Sequence, residues 1–307
     1  MLSCRPDAKL MAYGGKNRGL IWWMPTALVR LAAAVAARRV EVVLTGDALM
    51  YAVASPLLRL FRVRHATMIM GLDVTYENRL YRAVVHPSLR RAEAVMAISA
   101  ATAAQAEEFG VPRDRITVLR LGVQAPPAAG ADKALARAEL HKRLELADGD
   151  VVLLTLGRLV TRKGAAWFVE FVLPRVPAHV HYVLAGDGPE AERIAAAARS
   201  AAVSERVHFL GGVSDAEREL VMRGADLFVQ PNVAVPGDME GFGLVTIEAA
   251  MRATPVLAAD LEGIKDAVID GVTGQLAPSG DADAWVEQLT ALLADPAALR
   301  EIGRAHV

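Results

Sequence analysis

What most constrains this chain is an alternation. Ten short apolar runs, six to nine residues long, recur along its 307 residues, separated by stretches of helical character. Four lie early: "VEVVLTG" (40–46), "HATMIMG" (65–71), "EAVMAIS" (93–99) and "RITVLRLG" (115–122). Six follow: "DVVLLTLG" (150–157), "VHYVLAGDG" (180–188), "RVHFLGG" (206–212), "ADLFVQP" (225–231), "TPVLAAD" (254–260) and "TGQLAP" (273–278). Runs this short, rich in Val, Leu and Ile and without polar alternation, read as strands buried on both faces. Helices between them supply the crossovers that parallel strands need. The expected fold class is therefore α/β, with βαβ units building parallel sheets.

Punctuation divides the pattern. Pro126 and Pro127 open an Ala/Gly-rich stretch that reads as a linker over 126–149. A first Rossmann-like domain then covers 1–125 and a second covers 150–307, both read as doubly wound and facing each other across a cleft. Helices are expected at "ALMYAVASPLLRLF", "YENRLYRAVVHPSLRRA" and "AATAAQAEEFG", the last capped by Ser99 and ended by Gly110. "DADAWVEQLTALLA" places Val286, Leu289 and Leu293 on one helical face, and Asp295 with Pro296 opens a further helix.

Composition bounds the function. The chain is 53% apolar and 22% charged, with no long uncharged apolar span, so no transmembrane helix is expected. "MLSCRPDAKLM" lacks the hydrophobic segment of a signal peptide, and the single cysteine, Cys4, excludes an internal disulfide and a cysteine metal cluster. A cytoplasmic setting is the default. The net charge of −1 hides an asymmetry: residues 1–125 carry 17 Lys/Arg against 9 Asp/Glu, and residues 126–307 carry 17 against 26. The basic first half suits attraction to an anionic partner such as a lipid surface, or it decorates solvent faces. "LIWWMPTALVRLAAAVAARR" extends that choice. With Trp22, Trp23, Leu28 and Leu31 beside Arg30, Arg38 and Arg39, it reads as an interfacial helix or as one packing on the sheet.

In open α/β sheets ligands bind outside the carboxyl ends of the strands. Three strand ends of the second half carry glycines and charges. In "LGRLVTRKG", Gly157 allows a close turn, and Arg158 and Lys163 place cations at the mouth of the sheet, suited to a diphosphate, or form a basic loop in solvent. In "AGDGPEAERI", Gly186 and Gly188 let a ligand approach the backbone or simply form a structural turn; a full dinucleotide fingerprint is absent, position 191 being Ala. In "GDMEGFGLVTIEAAM", a helix starts near Gly243, and its first turn has free N–H groups and partial positive charge for an anion. Glu240 before that helix and Glu248 within it can each accept hydrogen bonds from two sugar hydroxyls, or Glu240 caps and Glu248 is a surface residue.

Taken in order and spacing, "GRLVTRKG", "AGDGPE", "FVQPN", "EGFGLVTIEA" and "DGVTGQL" resemble the retaining glycosyltransferases of family 4, which have the GT-B fold. The resemblance covers about residues 65–307. It implies a hexosyl transfer from a UDP- or GDP-sugar to a glycan, lipid-linked or small acceptor, with no cofactor, metal or nucleic acid. Arg158 and Lys163 would stabilise the departing diphosphate, and Glu240 would hold hydroxyls of the transferred sugar. The backbone of Gly241, Phe242 and Gly243 would contact sugar and phosphate, with Leu244 and Val245 offering N–H groups to the phosphate. Glu248 would take the ribose. No nucleophile is assigned to Glu240; the acceptor is expected to attack from the leaving-group face.

Two departures from the family pattern stand out. Where members usually carry His-Gly, this chain has Met70-Gly71, and methionine cannot donate to a hydroxyl; His65 is too far upstream to replace it. Asp73 and Asn78 are the candidates on the acceptor side. The first domain also reads as incomplete, entering at "DAKLMAYGGKNRG", and the chain stops at "REIGRAHV" before a usual closing helix. Expressed alone, such a chain is expected to aggregate or to turn over poorly. Two alternatives accompany the transferase reading: a GT-B sugar-nucleotide epimerase, and a catalytically impaired fragment that only binds nucleotide sugars.

Overall fold

The computed structural model describes residues 17–124 and 133–295. All ten apolar runs are strands. The first unit contains α1 (Asn17–Ala36), β1 (Val42–Thr45), α2 (Ala48–Leu60), β2 (Arg64–Ile69), α3 (Leu72–Thr75), α4 (Arg79–Arg90), β3 (Val95–Ala97), α5 (Ala100–Glu108) and β4 (Ile116–Val118). The second contains α6 (Lys133–Leu144), β5 (Val151–Leu156), α7 (Ala165–Phe171), β6 (Val180–Ala185), α8 (Ala191–Ser200), β7 (Val207–Gly211), α9 (Asp215–Gly224), β8 (Leu227–Gln230), α10 (Leu244–Ala250), β9 (Val256–Asp260), α11 (Ile264–Ala267), β10 (Gln275–Pro278) and α12 (Ala282–Ala294).

Both sheets are parallel. The second has the order β10-β9-β8-β5-β6-β7. Counted within that unit this is 6-5-4-1-2-3, the doubly wound order whose direction reverses between its first and fourth strands. Here the reversal lies between β5 and β8, joined through Leu153 and Leu154 to Leu227 and Phe228. The first sheet departs from expectation. Its order is β1-β2-β3-β4, so among the described residues it winds in one direction and has no switch point. β1 is an edge strand with Val42 and Leu44 exposed. Among the described residues, it is the second sheet that offers a switch-point crevice of its own.

Local sequence explains most element ends. Ser99 caps α5 by accepting from Thr102 N at 3.0 Å, as its position predicted. Ser214 and Glu217 form a reciprocal capping box on α9. Asp281 caps α12, whose innermost side chains are Trp285, Leu289 and Leu292. Val286 and Leu293 are half-buried at the edge of that stripe, because the bulk of Trp285 claims its centre. Asp295 closes α12, and the helix expected after it lies outside the described residues.

The stretch read as a linker over 126–149 contains α6. Leu140 is fully buried in the core of the second sheet, and Gly224 at the end of α9 leaves room for α6: a Cβ there would lie 2.7 Å from the Ala136 carbonyl. Alanine-rich composition disguised a helix as a connector, and the second unit begins with α6. α1 packs Leu31 and Val35 on Ala54 and Leu58 of α2, with Leu28 partly covered, while Trp22 is exposed. Two members of the face proposed for a membrane thus serve the core. Among the described residues, no helix is long and apolar enough to cross a membrane.

The two units meet through a small apolar cluster of Ile98, Phe242 and Ala267. Beside it Asp266 on α11 accepts from Ala100 N at the start of α5 (2.7 Å) and from Arg120 Nε after β4 (2.8 Å).

Candidate functional site

The switch point collects the predicted chemistry. From β5 the chain turns at Gly157, whose φ of 136° favours glycine and whose Cβ position faces open space. It runs to a single 3-10 turn, Thr161–Lys163, and enters α7 through Gly164. From β8 it passes Pro231 and Asn232 and crosses an irregular loop to Gly243, which starts α10 with φ 83°. The two loops touch. Val233 N donates to Arg162 O at 3.0 Å, and a Cβ on Gly164 would lie 1.8 Å from Pro231 O.

That contact brings Lys163 and Glu240 together. Lys163 Nζ lies 2.6 Å from Glu240 Oε2, and both side chains are buried. Asn232 Nδ2 donates to the same oxygen at 3.0 Å, and Arg162 Nε lies 3.5 Å from it. Arg162 also reaches Asp238, at 3.3 Å. Burial alone would raise the Glu240 pKa, but Lys163, Arg162 and the Asn232 hydrogen bond outweigh it and hold the carboxyl below its ordinary value. The site therefore keeps an ionised carboxylate and an ammonium in contact.

Other predicted residues are placed differently. Arg158 is exposed and, among the described residues, pairs with no carboxylate. Glu248 lies on α10 as expected and forms a close ion pair with Arg218 of α9, so it holds a cation before any ribose. Leu244 and Val245 open α10, where no side chain caps the first turn. Gly186 and Gly188 serve packing. Cβ atoms there would lie 2.0 Å from Gly157 O and 2.1 Å from Leu159 O, so these glycines admit the neighbouring strand-end loop. Gly241 and Phe242 face the first unit: a Cβ on Gly241 would lie 2.4 Å from Met70 O, and Phe242 sits in the cluster between the units.

Asp73 and Asn78, expected on the acceptor side, have structural partners. Asp73 accepts from Met70 N (2.8 Å) and Ala48 N (3.2 Å), fastening the β2 loop to the start of α2; burial raises its pKa. Asn78 caps α4 by accepting from Tyr81 N at 3.0 Å. Asn78 is engaged because it directly precedes α4, whose first N–H groups need acceptors, and Asp73, inside α3, because the start of α2 and the end of β2 both bring unpaired N–H groups to it.

Sequence reasoning overlooked Arg162, Asn232, Asp238 and Glu262. Arg162 and Asn232 stand inside quoted motifs, and their adjacency to Lys163 and Pro231 was the available signal. Glu262 carried none: it reaches the site only because the turn after β9 meets the Glu240 loop, where its carboxylate accepts from Glu240 N.

A family model described as "Glycosyl transferases group 1" matches residues 136–306, and "Glycosyl transferase 4-like domain" matches residues 8–122. The chain belongs to the group 1 glycosyltransferases. Similar proteins include the D-inositol 3-phosphate glycosyltransferase of Nocardia farcinica, 36% identical over 225 residues, which cover 70% of this chain and 48% of that protein. A GDP-mannose-dependent alpha-(1-6)-phosphatidylinositol monomannoside mannosyltransferase of Mycolicibacterium smegmatis is 34% identical over 190 residues, covering 59% and 49%. The chain thus spans about half the length of the curated relatives it matches. Among solved structures, Anabaena HepE in complex with UDP superposes with a TM-score of 0.77 at 19% identity, covering 92% of this chain and 76% of that one. Sucrose-phosphate synthase of Thermosynechococcus elongatus gives 0.76 at 24%, covering 97% and 75%. This group 1 glycosyltransferase has the GT-B fold, as its motifs implied.

Proposed function

We propose that this chain transfers a hexosyl unit from a nucleoside diphosphate sugar, UDP- or GDP-linked, to an acceptor hydroxyl, with retention and without a metal. The observation that carries the reading is the Lys163–Glu240 contact at the switch point of the second sheet, made by two strand-end loops 77 residues apart. A diphosphate leaving from this place gains negative charge on its oxygens. Lys163 and Arg158 are the cations available to it, and the uncapped start of α10 adds oriented N–H groups. Glu240, kept ionised by its neighbours, accepts sugar hydroxyls and favours positive charge growing at the anomeric carbon. Glu248 takes the ribose by exchanging Arg218 for two hydroxyls. At the reacting centre the charges of Lys163, Arg158 and Glu240 act from set positions, which is where electrostatic catalysis gains most.

The test has two stages. A thermal-shift screen with UDP, GDP and ADP is expected to show stabilisation by one of the first two. Incubation with the matching sugar nucleotides is then expected to release nucleoside diphosphate with EDTA present, and NMR of the product to show the donor's anomeric configuration. Binding without turnover would favour the nucleotide-sugar-binding alternative, and interconversion of the donor sugar would favour the epimerase. A cytoplasmic setting and peripheral contact with an anionic membrane belong to the same proposal, supported by the basic first half and the exposed Trp22. Flotation with anionic liposomes at low salt tests the contact, and no binding refutes it.

A further inference from the structure

We propose that Glu262 is a positioning residue for Glu240, clamping the peptide that carries it; the inference rests on the transfer reading above. Glu262 lies in the turn between β9 and α11. Its carboxylate accepts a hydrogen bond from Glu240 N, and the next residue, Gly263, donates its own N–H to Glu240 O at 3.1 Å. Both backbone polar groups of Glu240 are thus taken by two consecutive residues. The loops are pressed together there: a Cβ on Gly263 would lie 2.0 Å from Gly241 O.

A glutamate at this place is costly on three counts. Its φ of +48° lies in the left-handed region, which disfavours a side chain and suits glycine. Its carboxyl is partly removed from water. Its charged neighbours are Glu240 and Asp238, with Arg162 as the opposing cation; burial first, and then those two carboxylates, raise its pKa. A glycine would avoid all three costs and would lose only the bond to Glu240 N. Strain and desolvation concentrated on one contact with a site residue point to a role at the site. The long loop from Pro231 to Gly243 has no regular structure of its own, so the aim of the Glu240 carboxylate depends on such bonds.

The test uses the full chain with two variants. Glu262→Gly removes the carboxylate and relieves the backbone; Glu262→Gln keeps an acceptor oxygen and removes the titration. Amide hydrogen exchange at Glu240 is expected to quicken about tenfold or more in Glu262→Gly and to stay near native in Glu262→Gln. Turnover of the sugar nucleotide is expected to fall in kcat on the order of ten- to a hundredfold in Glu262→Gly, the scale of one hydrogen bond to a charged group. KM is expected to change little and Tm to hold or rise. Glu262→Gln is expected to restore kcat and to shift the acid limb of its pH profile downward. Native exchange at Glu240 in Glu262→Gly overturns the clamp; so does native kcat, or a fall in Tm that accounts for the loss. Exchange needs no substrate, so a protein without turnover on any sugar nucleotide sinks the transfer reading while the clamp is still judged by exchange.

Discussion

Cutting the Lys163–Glu240 pair from either side should have unequal consequences, and the inequality follows from the geometry. Glu240→Gln leaves the Lys163 ammonium buried with no carboxylate, since Glu240 is its ion-pair partner among the described residues. Stranding one member of a buried pair costs about 3–5 kcal/mol. Lys163→Met leaves Glu240 buried as well, but Asn232 Nδ2 at 3.0 Å and Arg162 Nε at 3.5 Å still face its oxygen. With those two partners kept, the loss is about 1–3 kcal/mol, the worth of one charged hydrogen bond. The double variant strands neither charge, so the two effects should fall short of additive by roughly 0.5–3 kcal/mol. For a domain of this size each kcal/mol moves Tm by about 2–4 °C, so Glu240→Gln should melt roughly 6–20 °C lower. Calorimetry of the two single variants and the double measures all three terms. Additive losses, or a deeper loss from Lys163→Met than from Glu240→Gln, would refute the reasoning. Both single variants should abolish transfer, so activity cannot report the asymmetry and stability must.

Two further outcomes are expected. Gly188→Ala should destabilise strongly, because its Cβ meets Leu159 O, while Gly157→Ala, whose Cβ faces open space, should destabilise less, through the strain of its φ of 136° alone, and should also weaken nucleotide affinity; the reverse ranking in Tm, or unchanged affinity, by thermal shift with and without UDP or GDP, would be contrary evidence. The hydrogen-bonded pair His181–His208 (3.0 Å) should make stability fall with acid: burial lowers both pKa values, so the unfolded chain binds more protons below about pH 6.5, and unfolding in urea should be easier at about pH 5.5 than at about pH 7.5, with His208→Gln shrinking the difference.

The elements were legible because buried parallel strands announce themselves as uninterrupted apolar runs, and each of the ten did so. Strand order was not. Nothing in "VEVVLTG" says that β1 is an edge strand in a one-way sheet, since that depends on which strands arrive beside it. α6 was concealed by the prolines before it, although Ala136 and Leu140 carry its buried side. At the site, Lys163 and Glu240 stood out because charges beside glycines at strand ends have few structural uses. Their partners did not, because the bonds linking Asn232, Arg162 and Glu262 to Glu240 arise between loops that only the fold makes neighbours. Asp73 and Asn78 show the converse: polar residues in a promising loop whose oxygens are taken by nearby backbone N–H groups.

The segment 237–243 also bears the first unit. Thr75 Oγ1 donates to Gly237 O at 3.3 Å, a Cβ on Gly71 would press on Met239, and Met70 O abuts Gly241. Glu240 therefore sits on the surface over which one sheet would turn against the other. If Glu240 grips the sugar as proposed, the joint between the units and that carboxylate share the seven residues 237–243, and a substitution that loosened the one would also move the other.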